Sequence, residues 1–180
     1  MINLPEMDEL RFKKRILTPE QAHVKIRHYC AFQERTHQEV KQKLAGYGLT
    51  WTAANELLSK LIEEGFLNEE RFARAFAGGR FRMKGWGKRK IIMELKKRGI
   101  SDYSIRAAIR EEIPVEAYEE TARKILTKKW ASLRGPGNTE YVKQAKTRQY
   151  LMSRGFENDV INRAMKNFLN GKAEHHDHTD

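Results

Sequence analysis

The stretch from Asn68 to Ile113, NEERFARAFAGGRFRMKGWGKRKIIMELKKRGISDYSIRAAIREEI, decides how the whole chain is read. It predicts three short helices with clear punctuation. Asn68 is a fitting N-cap, and Phe72, Ala73 and Phe76 share one helical face. Gly85-Trp86-Gly87 breaks the chain, after which Ile91, Ile92 and Leu95 build a second apolar face. Gly99 ends that helix, Ser101 caps a third, and Ile105, Ala108 and Ile109 form its inner side.

The pattern is used three times. A shift of 51 residues backward carries Leu95, Gly99, Ile100, Ile105 and Ile109 onto Leu44, Gly48, Leu49, Ala54 and Leu58. A shift of 56 forward carries the same five onto Leu151, Gly155, Phe156, Ile161 and Met165. Around them the chain divides into an irregular arm (1–17), three three-helix repeats (18–67, 68–113 and 114–171) and a polar, flexible tail (172–180).

In the first repeat Thr18 and Gln21, and again Thr36 and Glu39, make capping boxes, with Pro19 at a first helical position. Ala22, Ile26, Tyr29, Cys30 and Gln33 share a face of its first helix. Val40, Leu44 and Tyr47 face inward from its second. Thr50 caps its third helix, whose apolar stripe reads Trp51, Ala54, Leu57, Leu58, Leu61 and Ile62. In the third repeat Gly135-Pro136-Gly137 stops a long first helix, a second runs from about Asn138 to Arg154, and Gly171 closes the last. No segment alternates like a strand. The expectation is an all-α tandem array rather than a single ball.

Composition supports a thin body, since 39% of residues are hydrophobic and 33% charged. No apolar run is long enough to span a membrane, and no secretory signal opens the chain. A lone cysteine, Cys30, rules out an internal disulfide and fits the cytoplasm. Of the net charge of +11, Arg80–Arg98 carries nine basic residues against Glu94, and Thr121–Arg154 carries nine against Glu140. Each run is +8 net, which leaves the remainder at −5, with Glu56, Glu63, Glu64, Glu69 and Glu70 prominent in it. Two such runs in successive repeats point to a polyanion, most simply nucleic acid.

No catalytic constellation is visible. Gly85-Trp86-Gly87-Lys88 lacks the Gly-Lys-Ser/Thr ending of a phosphate loop and has no strand before it. Cys30 belongs to the buried stripe, whereas His28 lies about 160° away around the helix, so a core thiol is expected. His175-His176-Asp177-His178 is read as a His-rich tail rather than a metal site. No cofactor is expected. Binding chemistry is richer: Arg80, Arg82, Lys84, Lys88, Arg89, Lys90, Lys97 and Arg98 surround or follow the Gly-Trp-Gly break. Lys128, Lys129, Lys143, Lys146 and Arg148 add a second positive surface. Trp86 either stacks on an unpaired base or anchors its turn against the bundle. A helix-turn-helix reader is disfavoured, because the helix after Leu49 carries Glu56, Glu63 and Glu64 against only Lys60.

Several blocks resemble the RecX regulatory proteins. They are Arg35-Thr36-His37-Gln38-Glu39-Val40, the run Leu61 to Ala73 (LIEEGFLNEERFA), Lys84-Gly85, Glu94-Leu95 through Arg98-Gly99-Ile100, and the closing Arg154-Gly155-Phe156. Thr36 stands where that family often has serine, which keeps the capping hydroxyl. The resemblance implies three tandem three-helix repeats in an elongated, curved, all-α array. It further implies a modulator that lies in the groove of the RecA recombinase filament. Such a protein inhibits ATPase, strand-exchange and co-protease activity, and so bears on recombinational repair and the SOS response. It also contacts single- and double-stranded DNA. Glu63, Glu64, Glu69 and Glu70 are then candidate contacts to protein, and the chain is expected to act as a monomer. The alternative is a stand-alone, sequence-nonspecific nucleic-acid-binding protein.

Overall fold

The computed structural model describes residues 16–176, with side chains described as far as Lys172. Among the described residues there are nine helices and no strand. They are α1 (Pro19–Phe32), α2 (His37–Gly46), α3 (Trp51–Glu63), α4 (Glu69–Lys84), α5 (Lys88–Lys97), α6 (Asp102–Glu112), α7 (Val115–Ser132), α8 (Glu140–Arg154) and α9 (Asn158–His176). The main helix pairings stay within triplets: α1–α3, α4–α6 and α7–α9. All-α, tandem three-helix architecture is therefore what the sequence folds into.

The local signals work as their chemistry requires. Thr18 and Gln21, and Thr36 and Glu39, complete reciprocal capping boxes at α1 and α2. Thr50, Ser101 and Thr139 accept an orphan amide at the start of α3, α6 and α8. Gly48, Gly99 and Gly155 all take left-handed φ values, of 85°, 72° and 93°. In each case the next amide returns to the leucine four residues before the glycine: Leu49 to Leu44, Ile100 to Leu95 and Phe156 to Leu151. The register of the triplication is thus visible in backbone hydrogen bonds.

The chain divides into two compact units at Asn68/Glu69. In the first, Ala22, Ile26, Cys30, Val40, Leu44, Leu58, Leu61 and Leu67 form the core. The stripe predicted for α3 is too wide: Trp51 is 79% and Ile62 45% exposed, because they sit on the flanks of the face that α1 and α2 cover. Gln33 is the C-cap of α1 and is exposed rather than inward. Ile16 lies against Gly48, and the Leu17 amide donates to the Tyr47 carbonyl at 3.0 Å, so the end of the arm follows the α2–α3 turn. Residues 1–15 of that arm lie outside the described residues.

In the second unit α4–α6 and α7–α9 share one core, which runs from Phe72 and Phe81 through Leu95, Tyr118 and Leu126 to Leu151, Phe156 and Met165. Ala73, Ala77 and Gly78 on α4 and Ser104, Ala107 and Ala108 on α6 are small and buried, which lets these two helices pack closely. Arg74–Glu111 and Arg82–Glu112, both at 2.8 Å, tie their outer edges. Helix α9 continues past Gly171 to His176, so that glycine does not close it. A glycine in a helix interior costs only about 1 kcal/mol. The last residues of the expected tail, 177–180, lie outside the described residues.

Candidate nucleic-acid interface

The Gly85-Trp86-Gly87 break is above all a joint. The Gly87 amide donates to the Arg154 carbonyl at 2.8 Å, and the Arg89 amide to the Gly155 carbonyl at 3.0 Å. Between them the Lys88 amide donates to the Tyr118 hydroxyl at 2.9 Å, and that hydroxyl donates to the Glu157 carboxylate. Tyr118 also stacks on Phe156, with ring centroids 5.0 Å apart. The first turn of α5 is therefore laid on the α8–α9 turn, and its amides are spent on protein acceptors. They cannot cradle a phosphate, which disposes of the phosphate-loop idea on geometric grounds. Burial, and then the bond to Glu157, push the Tyr118 phenol well above its usual range.

This joint brings the two basic runs together. Arg154 donates from its guanidinium to the Lys84 carbonyl and stands 5.7 Å from the centre of the Tyr150 ring. Lys129 approaches the same ring at 5.2 Å, and Lys146 shares a shallow hollow with Lys129, Gln149, Tyr150 and Ser153. Lys84, Arg154, Tyr150, Lys129 and Lys146 thus form a path across the repeats. Arg154 and Tyr150 are not among the candidate residues read from the sequence. Arg154 ends the second basic run there, but its place beside Lys84, like that of Tyr150, depends on what packs against the turn.

Trp86 is half-buried and packs edge-on to Phe76 with centroids 6.4 Å apart. Arg80 lies 5.3 Å and Lys90 4.6 Å from its ring. It anchors the turn while holding two cations beside it. Lys88 rests over Tyr118 at 4.6 Å. Among the described residues Lys84, Arg89 and Lys128 are exposed and have no carboxylate partner, which leaves their charge free for an external anion.

Other predicted cations are occupied or lie elsewhere. Arg82 pairs with Glu112, while Lys97 and Arg98 both pair with Glu94, at 3.3 and 2.7 Å. Hydrogen bonds from Arg98 and Lys97 hold the Glu94 carboxyl below its ordinary range. Arg148 bonds to the Asn162 side chain, and Lys143 lies 6.0 Å from the Trp130 ring, which Lys172 also approaches, at 5.0 Å.

The acidic block is also largely engaged. Glu64 receives His23 at 3.2 Å and Arg27 at 3.6 Å, and Glu70 receives Arg74 at 3.4 Å. Glu69 accepts both the amide and the hydroxyl of Ser101. Glu63 is exposed at the end of α3. Cys30 is buried as its stripe predicted, and desolvation raises its thiol pKa, as suits a core side chain. Among the described residues no three His, Cys, Asp or Glu side chains gather into a metal site, and no helix is long and apolar enough to cross a membrane.

Comparison with known proteins converges on one group. Residues 68–109 match the second three-helix domain of RecX, and residues 116–165 match the third. The regulatory protein RecX of Halorhodospira halophila is 33% identical over 134 residues, covering 74% of this chain and 80% of that protein. That of Oceanobacillus iheyensis is 27% identical over 134 residues, and the match spans only about half, 48%, of its length. The crystal structure of RecX from Lactobacillus salivarius superposes with a TM-score of 0.73 at 22% identity, covering 83% of this chain and 95% of that one, a likeness of fold. With two successive RecX domains matched in order and a one-third-identical relative covered over most of its length, this chain belongs to the RecX family of regulatory proteins.

Proposed function

We propose that this chain binds RecA recombinase filaments and the DNA within them, and that it inhibits the recombinase's ATPase, strand-exchange and co-protease activities. It would thereby modulate recombinational repair and the SOS response. In this reading it works as a cytoplasmic monomer with no catalytic centre, metal or cofactor of its own. Family membership supports the partner. The observation that carries the DNA half is the cation path across the α5 and α8–α9 joint, with exposed Lys84, Arg89 and Lys128 lacking carboxylate partners. Such a path follows a phosphate backbone and reads no sequence. The repeats would bridge neighbouring protomers and resist the motions of ATP turnover, with the acidic block of Glu63, Glu64, Glu69 and Glu70 against protein.

The test is co-sedimentation with preformed RecA filaments, set beside binding to DNA alone at the same salt. Reversing Arg89 and Lys128 to glutamate should weaken DNA binding and flatten its salt dependence. Reversing Arg82 and Arg98, whose charges are already paired, should do much less. Equal effects from both pairs would sink the interface as drawn. Binding to DNA with no retention on filaments would favour a stand-alone nucleic-acid-binding protein instead.

A further inference from the structure

A second surface of the same unit has no role in the cation path. Between α5 and α6 runs an open groove of about 510 Å³. Buried Ile105 and Ile113 form its floor, half-buried Ile92 and Ile109 its walls, and Val115, 61% exposed, its mouth. Lys88, Arg106 and Arg110 stand on the rim, and one acid, Glu116, closes an end.

The rim charges are poorly neutralised from within. Asp102, one turn before Arg106 on α6, already gives its carboxylate to Lys96 at 2.9 Å. Glu111, 3.9 Å from Arg110, is bound to Arg74 at 2.8 Å.

The triplication supplies a control inside the molecule. At the place of Ile92 the third repeat has Arg148, and at the place of Arg106 it has Asn162. These two side chains hydrogen-bond across α8 and α9 and bridge the equivalent position. The first repeat has Lys41 and Asn55 there. Only the second repeat has an aliphatic residue at this place on its second helix, beside an arginine on its third.

We propose that this groove is a docking site for an acidic, amphipathic helical segment of a protein partner. Aliphatic side chains of the segment would enter between Ile92 and Ile109, and its carboxylates would meet Arg106, Arg110 and Lys88. Glu116 sets the direction, since that end of the segment must be neutral or basic. The apolar floor argues against nucleic acid, which offers a charged backbone and no aliphatic row. The inference deepens the recombinase reading, on which the partner's identity rests, by naming a surface that holds filament protein rather than DNA.

Two variants test it. Ile92→Arg with Arg106→Asn installs the pair that the third repeat already accommodates and so closes the groove without a foreign shape. Arg110→Glu alters charge alone. The probes are a labelled leucine–glutamate amphipathic peptide, its leucine–lysine twin, preformed RecA filaments, and single-stranded DNA, with thermal unfolding as the check on folding. The wild type should bind the glutamate peptide and not its twin. Both variants should weaken that binding about tenfold or more and lower filament retention alongside it, leaving DNA affinity and the melting temperature unchanged. The proposal is overturned if the glutamate peptide shows no preference, if the double variant leaves peptide or filament binding untouched, or if DNA affinity falls instead. Peptide binding by a wild type that ignores filaments would uphold the groove and remove the recombinase reading.

Discussion

At Gly99 and at Gly155 the chain leaves a second helix in the same manner. Both glycines have left-handed φ, and both are followed by an apolar residue whose amide returns to a buried leucine. Their surroundings differ completely. A Cβ at Gly99 would meet nothing within 4 Å, whereas one at Gly155 would stand 2.4 Å from the Lys90 Cβ and 2.6 Å from its backbone nitrogen. Gly87, on the other side of that contact, has ordinary φ of −76°, yet a Cβ there would fall 2.2 Å from the Gly155 carbonyl. One turn is only a turn. The other is also the seat on which α5 of the preceding repeat rests, so a single local motif carries two levels of constraint.

Substitutions can break or sharpen that contrast. Gly155→Ala combines left-handed strain with a backbone collision and should cost about 3–5 kcal/mol, read as lost denaturant midpoint. Gly87→Ala has the collision without the strain and should cost about 2–3 kcal/mol, with the loss confined to the second unit in hydrogen exchange.

Tyr118→Phe removes the acceptor for the Lys88 amide and the donor to Glu157, a loss of about 1–3 kcal/mol. Because the folded-state pKa of Tyr118 is raised, its contribution is complete below the unfolded value near 10 and falls as pH rises beyond it. Urea titrations should show wild-type stability declining above about pH 10, with that decline blunted in the phenylalanine variant.

Gly99→Ala should cost only the left-handed strain, about 1–2 kcal/mol. A loss equal to that of Gly155→Ala would mean that the two turns carry the same constraint. Smallest, and opposite in sign, Gly79→Ala within α4 meets nothing within 4 Å and should raise stability by roughly 0.5–1 kcal/mol.

What the sequence disclosed, and what it withheld, follows the same division. Capping at Thr18, Thr36, Thr50 and Ser101, and the left-handed stops at Gly48, Gly99 and Gly155, depend on partners within a few residues, so spacing alone reveals them, whereas it misplaces a stop at Gly171. Most core positions follow from helical period. The stripe of α3 was overdrawn at Trp51 and Ile62, since periodicity gives a face but not how much of it a neighbour covers. The candidate interface was half legible. Its basic runs stand out in composition, but the pairing of Arg82 with Glu112 and the apposition of Arg154 to the Lys84 carbonyl and the Tyr150 ring are long-range facts. Trp86 offered two readings in the sequence, and only the Phe76 contact shows that it anchors the turn.

The joint also imposes an order of manufacture. A ribosome delivers Gly87, Lys88 and Arg89 well before Arg154, Gly155 and Glu157, an interval on the order of several seconds at ~5–20 residues per second. Through that time the opening turn of α5 must leave its amides to water, and the apolar face awaiting Leu151, Phe156 and Ile161 stays uncovered. A message cut short between the second and third repeats would therefore yield a sticky half-body for chaperones and proteases, not a smaller working regulator.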